Sequence, residues 1–178
     1  MIAKVQSSEC AIENIVDADR DWVSAVLVQR WGSMQVVSRG RLHHADQLPG
    51  LIMTEAGTRV GLLTYAASPH ECELVTLDAL DIRRGIGSAL VSEMSKRASK
   101  TAWKRLWLIT TNDNVVAQKF CQQNGWSLVN VHMDAVLENR KIKPEIPLTG
   151  INGIPIKDEH EYEIEILRND SNRHKNRN

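Results

Sequence analysis

The chain has 178 residues, 42% hydrophobic and 25% charged, enough for one globular core and crowded for two. Lys+Arg and Asp+Glu both number 22, so the formal net charge is zero and no global field draws the protein to nucleic acid or an anionic membrane. No apolar run approaches the roughly 20 residues of a membrane span, and the first ten residues lack the apolar core of a signal peptide, so the expected location is the cytoplasm.

In chain order, residues 11–16 are predicted as a short strand. Asp17 or Asp19 can cap a helix over Arg20–Trp31, with Trp22, Val23, Val26, Leu27 and Trp31 near one face, and Gly32 ends it. Gln35–Ser38 reads as a second strand and 43–50 as a polar loop closed by Pro49-Gly50. Residues 51–54 and 59–66, joined by Glu55-Ala56-Gly57-Thr58, read as a β-hairpin. Ser68-Pro69-His70 then turns the chain into a strand over 73–80.

Ile86, Leu90, Val91, Met94 and Ala98 recur at helical spacing, which predicts a helix from 86 to about 101 whose apolar stripe covers the sheet. Arg105–Thr111 has the near-continuous apolar middle of a strand covered on both faces, completing a strand–helix–strand unit. Asn114 caps a helix over Val115–Gln123 with Val116, Ala117 and Phe120 inward. Asn124-Gly125 ends it, and a strand over 126–133 follows. Pro144, Pro147, Gly150, Gly153 and Pro155 mark a long irregular connection, expected to rim the active site, before a last strand over 161–167. Residues 1–168 are expected to form the domain, and the polar, basic stretch 169–178 a disordered tail.

The three cysteines, Cys10, Cys72 and Cys121, are widely spaced, without a CxxC or a histidine at ligand spacing, which speaks against a zinc site or a disulfide framework. His43 and His44 are adjacent and so face different ways on a regular element, and no metal is expected.

The strand over 73–80 passes through Arg83-Arg84-Gly85-Ile86-Gly87-Ser88 into a helix. Two glycines, two arginines and the free N–H groups of a first helical turn make a phosphate-binding turn. The same spacing also fits an ordinary glycine loop with a solvated arginine pair. A dinucleotide fingerprint fails because Leu90 stands where a third small residue belongs and no acid follows about 20 residues on. A Walker loop fails because Ser88-Ala89 replaces its Lys-Ser or Lys-Thr.

Arg84-Gly85-Ile86-Gly87-Ser88-Ala89-Leu90 resembles the glycine core of the acetyl-CoA loop in the GNAT superfamily of N-acetyltransferases. A second block, Asn114-Val115-Val116-Ala117-Gln118-Lys119-Phe120-Cys121-Gln122-Gln123-Asn124-Gly125-Trp126, resembles that superfamily's Asn-x-x-Ala-x-x-Phe-Tyr-x-x-x-Gly-Phe. The resemblance covers roughly residues 10–167 and implies an α+β fold. Its mixed, mostly antiparallel sheet would have about six to seven strands, helices on both faces and a splayed fourth and fifth strand, here 73–80 and 105–111. It implies acetyl-CoA as substrate and a primary amine as acceptor, a small molecule favoured over a protein, with no nucleic acid or membrane involved, in a monomer or homodimer.

By the same resemblance the pantetheine lies along the backbone of Leu77, Asp78, Ala79 and Leu80. Arg83, Arg84, Gly85, Ile86, Gly87 and Ser88 hold the pyrophosphate, and Asn114 contacts the CoA arm. The family's Arg or Gln three before the first glycine is Ile82 here, which shifts weight to the two arginines and to backbone N–H groups. Glu73 takes the place of the catalytic base of some members, with Asp78 as its rival; both also suit solvent-facing or ion-paired strand positions. The tyrosine that often protonates the CoA thiolate is Cys121, at best a weak donor and equally a core residue. That loss admits a second reading, a non-catalytic acyl-CoA-binding module of the same fold. His132 falls where a strand can aim it at the acceptor, or simply where a sheet histidine is hydrogen-bonded. Trp103, Trp107 and Trp126 are expected in packing.

Overall fold

The computed structural model describes residues 10–81, 84–150 and 153–166. Ile82 and Arg83 of the glycine turn, the predicted strand end at Leu167, the domain boundary after residue 168 and the tail 169–178 lie outside the described residues. The elements run β1 (Cys10–Asn14), α1 (Arg20–Trp31), β2 (Gln35–Ser38), β3 (Arg41–His44), β4 (Gly50–Glu55), β5 (Thr58–Ala67), β6 (Glu71–Ala79), α2 (Ile86–Ala98), β7 (Arg105–Thr111), α3 (Val115–Gln123), β8 (Ser127–His132), α4 (Ala135–Ile142) and β9 (Glu159–Glu165). Seven strands form one sheet in the order β1-β4-β5-β6-β7-β9-β8, and β2 and β3 pair apart from it. Among the described residues every neighbouring pair in the sheet is antiparallel except β6 and β7. This is the expected α+β architecture.

Strand alternation sorts the core into two layers. Leu51, Leu63 and Leu74 face one side, against Ile86, Leu90, Val91, Met94 and Ala98 of α2 and Cys121 of α3. Ile52, Leu62 and Val75 face the other, against Val23, Val26 and Leu27 of α1 and Val36 of β2. Each large aliphatic side chain so buried contributes roughly 1.5–3 kcal/mol, so α2, with five residues of its stripe in the core, is firmly docked.

Three expectations need correction. Residues 43–50 are not one polar loop, because Arg41–His44 is a strand folded onto β2 through Arg39 and Gly40, both at positive φ (48° and 70°). A two-residue turn of that kind twists with the strands it joins, but Ser-Arg-Gly-Arg does not advertise it as Asn-Gly would. The connection after β8 opens with α4, whose Val136 and Asn139 point inward. Finally, Val116 on α3 is 82% exposed, and Cys121 takes the core position on that helix.

Candidate functional site

β6 and β7 pair only through Glu71–Arg105, Cys72–Leu106 and Glu73–Trp107, and beyond these positions they separate. On its other edge β6 stays paired to β5, where Thr64 meets Thr76 but Tyr65 meets Leu74, leaving Val75 as an extra residue. The bulge puts Val75 and Thr76 on the α1 side together, and the Thr76 hydroxyl lies 2.8 Å from that of Thr64. Past Glu73, then, the backbone of β6 has a free edge facing a gap. A cavity of ≈ 120 Å³ sits at its mouth, lined by Glu73 and Val75 of β6, Thr110 and Thr111 of β7, Ser38 of β2, Asn139 of α4, Glu159 and Asn114.

Buried charge collects on the α1 side of this opening. Glu73 is 5% exposed, with its Oε2 3.4 Å from Nε2 of His43, itself 4% exposed on β3. Glu159, at the head of β9, is 1% exposed and accepts hydrogen bonds from the Asn139 amide (2.7 Å) and the backbone N–H of Arg39 (3.1 Å). Burial raises its pKa above the usual carboxylate range despite those bonds. Glu161 accepts from His132 at 2.8 Å and Arg105 at 2.9 Å. Burial alone would raise its pKa, but these partners and the Arg39 charge hold it below the ordinary value.

Arg105 is the hub of the cluster. Its guanidinium donates to Glu71 (2.9 Å), Glu161 (2.9 Å) and Glu163 (2.8 Å) and lies 5.4 Å from the centre of the Trp107 ring, with Arg39 at 5.5 Å from the same ring. Burial alone would lower its pKa; the three carboxylates raise it well above the usual arginine value.

At the far end of β6, Gly85 caps α2 in the left-handed region (φ 73°), with nothing within 4 Å of where a Cβ would stand. Gly85 has no side chain to cap α2, so among the described residues its N-terminus is without a side-chain cap. Gly87 is small for another reason, since a Cβ there would come within 3.1 Å of the Phe120 ring on α3. It is a packing glycine between two helices. Arg84 is held by Asp81 (2.8 Å) and Glu55 (2.6 Å).

Asn114 caps α3, its side chain accepting from the N–H of Ala117 at 3.1 Å, while it also lines the cavity. Asp78 turns toward α1 and accepts the Trp31 indole N–H at 3.0 Å, with burial raising its pKa. Cys121 is 1% exposed in the core, and burial pushes its thiol up to about 11. The chain's two tyrosines, Tyr65 and Tyr162, pack in that same core layer.

Glu73 and Asn114 line the same cavity, while the run from Leu77 to Leu80 keeps its pairing to β5 and is open only on the edge toward β7. The Asp78 side chain is bonded to Trp31, another residue of the cavity wall, and Cys121 is closed in the core. Arg83 lies outside the described residues. The sequence reading missed His43, Ser38, Asn139, Glu159, Glu161 and Arg105. One signal was present in Glu159-His160-Glu161-Tyr162-Glu163-Ile164-Glu165, a glutamate at every second position of a single strand. Among the described residues no cluster of three or more His, Cys, Asp or Glu side chains could hold a metal ion. No described helix is long and apolar enough to cross a membrane.

Residues 22–126 match the sequence model of the Acetyltransferase (GNAT) family. The chain is 39% identical over 141 residues to the uncharacterized protein YxbD of Bacillus subtilis (strain 168), covering 79% of this chain and 89% of that protein. Its structure is similar to that of IAA acetyltransferase from Bacillus cereus ATCC 14579, with a TM-score of 0.65 at 17% identity over 88% of this chain and 99% of that one. It is also similar to a Bacillus subtilis acetyltransferase in complex with CoA, with a TM-score of 0.64 at 14% identity over 89% and 100% of the two chains.

Proposed function

The chain belongs to the acetyltransferase (GNAT) family, and from that premise we propose that it transfers the acetyl group of acetyl-CoA directly to a primary amine, a small molecule rather than a protein. The observation that carries this reading is the parting of β6 from β7 beyond Glu73, which frees one edge of the β6 backbone for the pantetheine. That the similar Bacillus subtilis structure contains CoA supports the choice of donor. The pyrophosphate falls at the first turn of α2. Arg84 is already neutralised by Asp81 and Glu55, so backbone N–H groups from Gly85 to Ser88 carry most of that contact. The single domain spans residues 1–168.

The chemistry asks for a neutral amine, a donor to the carbonyl oxygen and a proton for the leaving thiolate. The ammonium gives one proton to Glu73, directly or through one water. Its freed lone pair then forms the N–C bond to the thioester carbon. The C–S bond breaks with its electron pair going to sulfur, and a proton left on nitrogen passes to the thiolate, giving the N-acetyl amine and free CoA. Backbone N–H groups on the free edge of β6 face the carbonyl oxygen. Cys121 takes no part, being closed in the core, and none of these steps requires a tyrosine.

That buried Cys121 is also what favours the second reading, a non-catalytic acyl-CoA-binding module. Release of free thiol with any amine eliminates it. Binding itself is tested by thermal shift with acetyl-CoA, CoA, ATP and NAD, where a ligand at 100 times its Kd stabilises by about 2.7 kcal/mol. The two CoA compounds are expected to stabilise and the two nucleotides to have no effect; the reverse pattern overturns the donor assignment. Ser88→Asp sharpens the test, because a carboxylate in the first turn of α2 should stabilise the free protein by about 0.3–1 kcal/mol. It should also weaken CoA by about tenfold, equivalent to about 1.4 kcal/mol. Unchanged CoA affinity would remove the glycine turn from the site.

A further inference from the structure

Building on the acetyl-transfer reading, we infer that the acceptor is an unbranched alkyl primary amine, entering as its ammonium the cavity between β6, β7 and the β2–β3 hairpin. Size is the first argument. A cavity of ≈ 120 Å³ is smaller than the roughly 150 Å³ that holds a benzene ring, and it suits the end of a chain better than a sugar or aromatic ring.

The lining is the second argument. Val36, Val75 and Val136 give it apolar walls suited to methylenes, while Glu73 and Glu159 supply two acids, and no Lys or Arg lines it among the described residues. Third, polar capacity is left over. The Ser38 hydroxyl on the cavity wall is buried and has no hydrogen-bond partner, while His43 Nε2 lies 3.4 Å from Glu73 Oε2. Glu159 is already engaged by Asn139 and Arg39, so an incoming ammonium, which has three donors, finds Glu73 and Ser38 as its acceptors. A buried unpartnered hydroxyl and a buried carboxylate lining one cavity with Val36, Val75 and Val136 make a receptor for an alkylammonium.

Such a chain end is carried by a free diamine, in keeping with a small-molecule acceptor, and by a lysine side chain, whose preference would overturn that part of the reading, and the test separates them. Thiol release from acetyl-CoA is followed with n-butylamine, 1,4-diaminobutane and an N-terminally blocked peptide holding one lysine, against benzylamine, glucosamine and a dipeptide with a free α-amine. The linear amines are expected to exceed the branched and cyclic ones at least about tenfold in kcat/KM, with the diamine and peptide arms identifying the source. Val136→Phe, which fills the cavity, is expected to abolish butylamine turnover while CoA still stabilises the protein. Equal or better turnover of glucosamine, benzylamine or the dipeptide overturns the alkylammonium assignment alone, as does undiminished butylamine turnover by the Val136→Phe protein. Absence of turnover with every amine, despite CoA binding, overturns the acetyl-transfer reading as well.

Discussion

Replacing Glu73 with glutamine is expected to lower turnover about 10²- to 10⁴-fold at neutral pH and to leave acetyl-CoA binding unchanged. The substitution keeps the shape of a side chain that is 5% exposed and removes its ability to take a proton. An alkyl amine with an ordinary pKa near 10.4 is almost wholly protonated at neutral pH. The variant must therefore rely on the small free-amine fraction, which grows tenfold for each pH unit. Its deficit should shrink steadily toward pH 10, and the pH–rate profile of the variant should follow the amine itself. A profile identical in shape to that of the wild type would remove Glu73 from proton transfer. The thermal shift with acetyl-CoA guards against a trivial explanation, since a variant that misfolds around His43 would lose that response too.

Arg105→Gln is expected to destabilise the protein by about 3 kcal/mol at neutral pH, measured by urea unfolding. Three carboxylates share that guanidinium, and one of them, Glu161, is 4% exposed, so its removal leaves charge buried without its main counter-ion. Acid works in the opposite sense. Glu161 titrates below its ordinary value in the folded protein, so its contribution is fully present above the unfolded carboxyl pKa and is lost as pH falls through the folded one. The gap between variant and wild type should therefore narrow below about pH 4. Arg105→Lys restores the charge but not the three-way fork, and should recover part of the loss. Equal stability of Arg105→Gln and wild type at pH 7 would mean that His132 and Arg39 suffice for the cluster.

The local features of the fold were legible because they are written locally. Asn114 caps α3, Gly85 opens α2 and Gly32 closes α1, each at the residue where capping chemistry puts it. The glycine turn and the α3 block also carried the family likeness, and with it the divergence of two strands that no periodicity reveals. What stayed hidden were side chains whose surroundings come from far along the chain. Glu159 is buried because Arg39, 120 residues away in sequence, and Asn139 close over it. A glutamate alternating with Tyr162 and Ile164 reads as the wet face of a strand, and the sequence does not say that a hairpin and a helix cover that face. His43 was hidden for a related reason, because its strand depends on a turn at Arg39-Gly40 with weak local preference. Gly87 carries a second constraint that the sequence did not show, because Phe120 also limits its size.

The β2–β3 hairpin shares no ladder with the seven-stranded sheet. One wall of the opening is thus a short hairpin held by packing and by a few hydrogen bonds, while the opposite wall is made from the sheet and the two helices that fix its core. Substitutions or insertions in the hairpin can reshape what the protein admits without disturbing how β6 and α2 are held. Descendants of one ancestral chain could in this way come to differ in their acceptors while keeping a common donor, and divergence among relatives should concentrate between residues 35 and 44, where the ladder imposes least.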